Sequence, residues 1–228
     1  MVAFANTAYL AGKRAHTGTR LLAAIQDRVP DFSPRGRRRL PRFYRALRGW
    51  SIMTPSFGRL AYPRPVCSAM VVSFLRIKEP LIAVFTALML TCYLRPSSAL
   101  RLRRKDMIPP MAGTSDHWSL LVAPSEKNAP TKVGTFDQSV VVYCRWLTCL
   151  PRPLAALKDS GPADTIPWGF EYGQYSASFR SLASECCMAL VPYQCRHSGP
   201  SIDVAGGWRT LLEVQKRGHW KSYSSVKT

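Results

Sequence analysis

The feature that most restricts the fold is a run of uncharged residues, 80–94, which lies between Lys78–Glu79 and Arg95. The run is too short to cross a bilayer as a helix, because a spanning helix needs about 20 apolar residues. Apolar residues make up 46% of the chain, which is enough to build a core. We therefore predict a buried helix over residues 81–94 and no membrane-spanning segment.

The charge of the chain points to a polyanionic partner. The sequence has 32 Lys and Arg residues against 13 Asp and Glu, a net charge of +19. Residues 1–110 carry +16 of this charge, so the basic potential lies mostly in the first half. Nucleic acid is the expected partner of so basic a chain, and an anionic membrane surface is the alternative.

The cysteines favour a protein of a reducing, intracellular compartment. Their number is seven, which is odd, and no two of them are spaced as CxxC. This pattern predicts neither a disulfide framework nor a zinc site. We expect reduced thiols and no bound metal.

Prolines and glycines at 54–66 predict a boundary between a basic helical segment, 1–60, and a larger domain, 61–228. The densest arginine cluster lies in the first part, and helical spacing from Pro41 places Arg38, Arg42 and Arg45 near one face. These arginines are candidates for contact with DNA phosphates. The alternative is a solvated loop followed by an ordinary amphipathic helix.

The larger domain is predicted to be mainly α-helical with a small antiparallel β-hairpin, an α+β fold. Helices are expected over residues 66–76, 81–94 and 176–190, and over 196–216 in two pieces broken near Gly206 and Gly207. Two β-rich stretches, 118–122 and 134–143, are separated by a turn-like segment and predict the hairpin.

Three motifs separated in the sequence carry polar groups suited to phosphate chemistry. The first is Tyr93-Leu94-Arg95, and the second is Thr131-Lys132-Val133-Gly134 in the hairpin. The third is Tyr193-Gln194-Cys195-Arg196, followed by Gly218-His219-Trp220. In order and spacing, this set resembles the catalytic domain of the tyrosine recombinases, the phage-integrase family, in the variant carried by eukaryotic mobile elements. The resemblance covers residues 66–228.

The resemblance implies a role for each motif. Arg95 fills a "gly-leu-arg" turn, and Arg196 fills a "his-x-x-arg" box; both would bind the scissile phosphate, which guanidinium groups grip well. Lys132 would protonate the departing 5′ oxygen, and Lys127 is the alternative hairpin lysine. His219 would hydrogen-bond a phosphate oxygen.

Two positions depart from the family pattern. Tyr193 replaces the histidine of the box, and a phenol with an unperturbed pKa of about 10 is a poor base near neutral pH. Ser98 stands where the family has a supporting glutamate. Further contacts to DNA are expected from a short basic run made of Arg103, Arg104 and Lys105.

The family's nucleophile is a tyrosine that follows the last histidine by about nine or ten residues. Here Thr228 lies nine residues after His219, and Tyr223 lies only four after it. We therefore expect the chain to be C-terminally incomplete or inactive, unless another protomer donates the tyrosine.

The implied reaction is DNA breakage and rejoining through a 3′-phosphotyrosine, without a metal or cofactor. Double-stranded DNA would be the partner, with a homo-oligomer assembled on it if the chain is active. A nuclear location is expected for a eukaryotic protein. The alternatives are an inactive DNA-binding protein of the same fold and a basic RNA-binding protein.

Overall fold

The computed structural model describes residues 1–54, 60–128 and 134–223. The chain divides into two compact units, Met1–Gly58 and Arg59–Thr228. None of the described helices has the length and apolarity needed to cross a bilayer.

The first unit contains three helices, α1 (Val2–Leu10), α2 (His16–Arg28) and α3 (Pro41–Met53). They enclose a small core, to which α3 contributes Phe43, Leu47 and Trp50 from one face. The opposite side of α3 exposes Arg42 and Arg45. Arg38 is also exposed and precedes α3, which begins at Pro41, where the predicted helical spacing starts.

The second unit is built around one helix that is buried on all sides. This helix, α5, is Pro80–Thr91, and its residues from Ile82 onward are buried. The charge-free sequence explains this, since a helix without a polar face has no side to turn to water. The other helices of the unit are α4 (Arg64–Arg76), α6 (Pro96–Ala99), α7 (Pro151–Asp159), α8 (Tyr172–Glu185), α9 (Cys195–Ala205) and α10 (Leu211–Arg217).

A three-stranded antiparallel sheet completes the unit. Strand β2 (Ser119–Val122) lies between β1 (Met107–Ile108) and β3 (Gln138–Val141). The predicted hairpin corresponds to β2 and β3, which pair with Leu120 opposite Val140. The sequence did not predict β1, because two residues ahead of a Pro-Pro pair show no strand pattern. The predicted fold class, mainly helical with a small antiparallel sheet, is confirmed.

Helix α9 packs tightly against the end of α5 at Gly199. A Cβ atom placed on Gly199 would lie 1.8 Å from the Leu90 carbonyl oxygen and 3.1 Å from the Tyr93 ring. The backbone carbonyl cannot move aside without disturbing α5. Gly199 is therefore required for the contact between the two helices.

We expect Gly199→Ala to lower the free energy of unfolding by about 1–3 kcal/mol, the usual range for overpacking a core. Urea denaturation measures this change. Gly173→Ala is the matched control, because Gly173 lies in α8 with no atom within 4 Å of the position that an added methyl group would take. The control is expected to be neutral or stabilising. Equal effects of the two substitutions would contradict the packing argument.

Candidate functional site

The turn that follows α5 presents the first candidate arginine. The helix ends at Thr91, three residues earlier than predicted, and Tyr93 adopts a left-handed backbone with φ of +53°. Helices commonly end in this way, but usually on glycine. Tyr93 and Leu94 are buried, whereas Arg95 is half-buried at the start of α6. Among the described residues, the Arg95 side chain has no hydrogen-bond partner.

Arg196 lies in the first turn of α9 and is only 3% exposed. One terminal nitrogen donates to the Tyr93 carbonyl, and the other donates to the Gly218 carbonyl at 2.8 Å. The Trp220 ring centre lies 4.5 Å from its guanidinium carbon. Within the described part of the chain, no carboxylate forms an ion pair with Arg196. A buried cation without a counter-ion is unusual, because the loss of hydration goes uncompensated.

The two candidate arginines are close enough for their charges to interact. Burial, and then the positive charge of Arg95, lower the pKa of Arg196 to about 10. Tyr193 lies beside the same guanidinium and favours its charged form, and its ring centre is 5.3 Å from that of His197. Arg95 and Arg196 therefore concentrate positive charge that no carboxylate among the described residues pairs with.

His219 joins this cluster from the turn after α10, where it too adopts a left-handed backbone, with φ of +52°. Burial, and then the charges of Arg196 and Arg95, lower the pKa of His219 below its ordinary value of 6.5. Its Nε2 atom and the Nε atom of Arg196 are both buried without a hydrogen-bond partner among the described residues. Two unpartnered nitrogens next to an uncompensated cation can bind an anion that has several oxygens.

The lowered pKa of His219 predicts a loss of stability in weak acid. The unfolded chain takes up a proton near pH 6.5, while the folded state resists protonation. The stability linked to His219 is therefore complete above pH 6.5 and declines as the pH falls toward the folded-state pKa. Imidazole NMR titration checks the pKa, and urea denaturation between pH 5 and about 7 checks the slope. His219→Gln should flatten the slope; an unchanged slope would contradict this prediction.

The hairpin lysine chosen from the sequence, Lys132, lies outside the described residues. The alternative, Lys127, has a structural role. Its ammonium group donates to the Arg101 carbonyl at 2.7 Å and to Asp106 at 2.9 Å. Burial opposes ionisation of Asp106, but hydrogen bonds from Arg103 and Lys127 outweigh burial and lower its pKa. In this structure the Lys127 ammonium group is held by Arg101 and Asp106, and its catalytic role stays an alternative prediction.

The basic run predicted to bind DNA makes intramolecular contacts. Arg103 pairs with Asp106 at 3.1 Å, and Lys105 pairs with Asp164 at 2.6 Å. The Nε atom of Arg104 donates to the Leu157 carbonyl at 3.0 Å. A DNA phosphate would have to compete with these partners. Binding of DNA by this run stays a prediction.

Sequence reasoning missed the arginine that precedes the Gly-His pair. Arg217 donates to the Thr91 carbonyl at 2.8 Å and to the Tyr143 carbonyl at 3.1 Å. It therefore fastens α10 to the end of α5 and to the segment after β3. In the sequence, the position of Arg217 directly before Gly218-His219 was the one feature that could have pointed to it. The described residues contain no cluster of His, Cys, Asp and Glu suited to a metal ion.

The helices and the small sheet of the second unit give the chain a tyrosine-recombinase-like fold. Among the solved structures similar to it are two of the XerH site-specific recombinase with difH substrate. The pre-cleavage complex has a TM-score of 0.51 and 13% identity, covering 73% of this chain and 48% of that one. The post-cleavage complex with palindromic difH has a TM-score of 0.54 and 14% identity, covering 79% and 53%.

The chain thus spans about half the length of the recombinases that it matches. No protein-family model matches the sequence, and no curated protein matches it. The likeness lies in the fold, and the predicted roles of the site residues remain predictions.

Proposed function

We propose that this chain binds double-stranded DNA and breaks and rejoins a strand through a 3′-phosphotyrosine intermediate. The observation that carries the proposal is Arg196, a buried guanidinium without a carboxylate partner among the described residues, next to Arg95. A phosphodiester supplies the missing negative charge. Its oxygens can also accept hydrogen bonds from Arg196 Nε and His219 Nε2, which are buried and unpartnered.

The proposed chemistry follows from this charge distribution. A tyrosine oxygen attacks the phosphorus, and the bond to the 5′ oxygen breaks; no tyrosine among the described residues is assigned this role, and another protomer can donate it. Negative charge grows on the two non-bridging oxygens, where Arg95, Arg196 and His219 stabilise it as fixed donors. Tyr193 hydrogen-bonds the phosphate, and Lys132 supplies the proton to the leaving 5′ oxygen. The free 5′ hydroxyl of a second strand then reverses the step.

DNA binding away from the reacting phosphate is assigned to the exposed arginines of the first unit, Arg38, Arg42 and Arg45. Their long side chains are solvated and carry sequence-independent charge, which suits contact with the DNA backbone. Each contact releases counter-ions, so DNA affinity should fall steeply as salt rises. Strand exchange would require a second copy of the protein on the DNA.

Covalent trapping tests the proposal. The full product of the gene is incubated with a pool of nicked duplexes of randomised sequence. When such a duplex is cleaved, the freed strand end diffuses away, so the strand cannot be rejoined and the covalent adduct accumulates. We expect an adduct that survives denaturing electrophoresis and that mass spectrometry assigns to a tyrosine. Substitution of that tyrosine by phenylalanine should abolish the adduct and leave DNA binding intact.

Binding of the duplexes without any adduct would overturn the enzymatic proposal and leave a DNA-binding protein of this fold. Equal affinity for duplex DNA and for structured RNA at the same ionic strength would overturn the assignment of DNA as the partner. Both affinities are read from fluorescence anisotropy as the salt concentration is varied.

A further inference from the structure

Helix α9 carries a carboxylate in its buried face. Asp203 is 2% exposed and accepts hydrogen bonds from the Tyr93 hydroxyl and from Arg209. Arg209 also donates to the Tyr143 carbonyl at 3.0 Å. Through Arg209 the carboxylate is thus joined to the segment after β3, and its other side-chain partner is the Tyr93 hydroxyl.

Tyr93 connects this carboxylate to the candidate site. Its hydroxyl binds Asp203, while its own carbonyl accepts the hydrogen bond from Arg196. The Arg217 guanidinium carbon lies 5.4 Å from the centre of its ring, and the Trp220 ring centre lies 6.1 Å away. The residue is fully buried. One side chain therefore links Asp203, Arg217 and Trp220 to the carbonyl that holds Arg196.

The backbone of Tyr93 needs this support. A left-handed conformation is energetically unfavourable at a residue with a large side chain. Such a conformation persists where surrounding contacts determine it. Here Asp203 fixes the end of the side chain, and Arg217 fixes the preceding helix end by its hydrogen bond to Thr91 at 2.8 Å. Any rotation of the turn would move the Tyr93 carbonyl and Arg95 together.

We propose that Tyr93, locked by Asp203 and Arg209, is a positioning residue that sets Arg196 and Arg95 against the DNA phosphate. This inference rests on the proposed function. Tyr93 does not touch the DNA in this scheme; it acts through its carbonyl and through the turn. Asp203 and Arg209 act indirectly, by holding the Tyr93 side chain in place.

The test compares two buried tyrosines. Tyr93→Phe removes only the hydroxyl that binds Asp203. Tyr175→Phe is the matched control, because Tyr175 is also fully buried and its hydroxyl shares one hydrogen bond of 3.2 Å with Thr86. The rate of adduct formation at saturating DNA and the DNA concentration at half-saturation are measured for both. Thermal unfolding is measured alongside.

We expect Tyr93→Phe to slow adduct formation at saturating DNA by about 10-fold or more, since small displacements of catalytic groups are costly. Half-saturation should match that of Tyr175→Phe, and thermal unfolding should show both variants folded at the assay temperature. The Tyr175→Phe rate should stay within about twofold of that of the unsubstituted protein, because its hydroxyl lies outside the network. Equal rates for the two variants would overturn the positioning role alone. Absence of adduct with the unsubstituted protein would instead overturn the proposed function.

Discussion

Arg196→Ala is expected to lower the rate of covalent DNA cleavage by at least about 10²–10³-fold, the loss typical of removing one fixed donor from a transition state. Arg196 combines two features that favour a large effect. It is buried, so its charge is poorly screened, and Arg95 lies near enough to influence its pKa. The phosphate would lose both the charge of Arg196 and its Nε donor, which has no acceptor among the described residues.

The same substitution should leave most of the salt-dependent DNA affinity, because the exposed arginines of the first unit remain. Single-turnover trapping measures the rate, and anisotropy at several salt concentrations measures the affinity. Arg180→Ala is the matched control, because it removes one positive charge from an exposed position of α8. A cleavage rate for Arg196→Ala equal to that of Arg180→Ala would refute the assignment of Arg196.

Asp203→Ala is expected to lower the free energy of unfolding by about 3–5 kcal/mol, the usual result of breaking a buried ion pair by removing one partner. Asp203 is the carboxylate that pairs with Arg209, whose side chain is only 13% exposed. The substitution would leave that cation buried and the Tyr93 hydroxyl without its acceptor. Asp203→Asn should be less damaging, because the amide oxygen can still accept one hydrogen bond.

Asp164→Ala is the control for this prediction. Asp164 also pairs with basic side chains, Arg103 at 3.2 Å and Lys105 at 2.6 Å, but it is 71% exposed. Exposed pairs contribute about 0–1 kcal/mol, so the control should unfold at nearly the same urea concentration as the unsubstituted protein. Similar losses of unfolding free energy for Asp164→Ala and Asp203→Ala would contradict the prediction that burial makes the Asp203–Arg209 pair more important for stability.

Local patterns in the sequence predicted the parts of the fold that depend on neighbours along the chain. The uncharged run predicted α5 because a helix without polar residues must be buried. The valines at 140–142 predicted β3, and Gly206-Gly207 predicted the break between α9 and α10. The motif arginines were found in the same way, because each lies in a short segment with recognisable neighbours.

Long-range contacts account for what the sequence could not predict. Nothing near Tyr93 indicates a left-handed turn, because the residue that holds it, Asp203, lies more than a hundred positions later. The third strand, β1, is only two residues long and exists through its pairing with β2. The acidic partners of the basic run at 103–105, Glu126 and Asp164, could not be predicted either, because only folding brings them beside it.

The central claim is that Arg95, Arg196 and His219 form a site for one DNA phosphate. A crystal structure of the protein bound to a duplex tests it most directly. We expect a phosphate whose oxygens lie about 3 Å from Arg196 Nε and His219 Nε2, with the Arg95 guanidinium on the same group. A complex in which every phosphate contacts other surfaces, while these nitrogens stay without a partner, would contradict the claim.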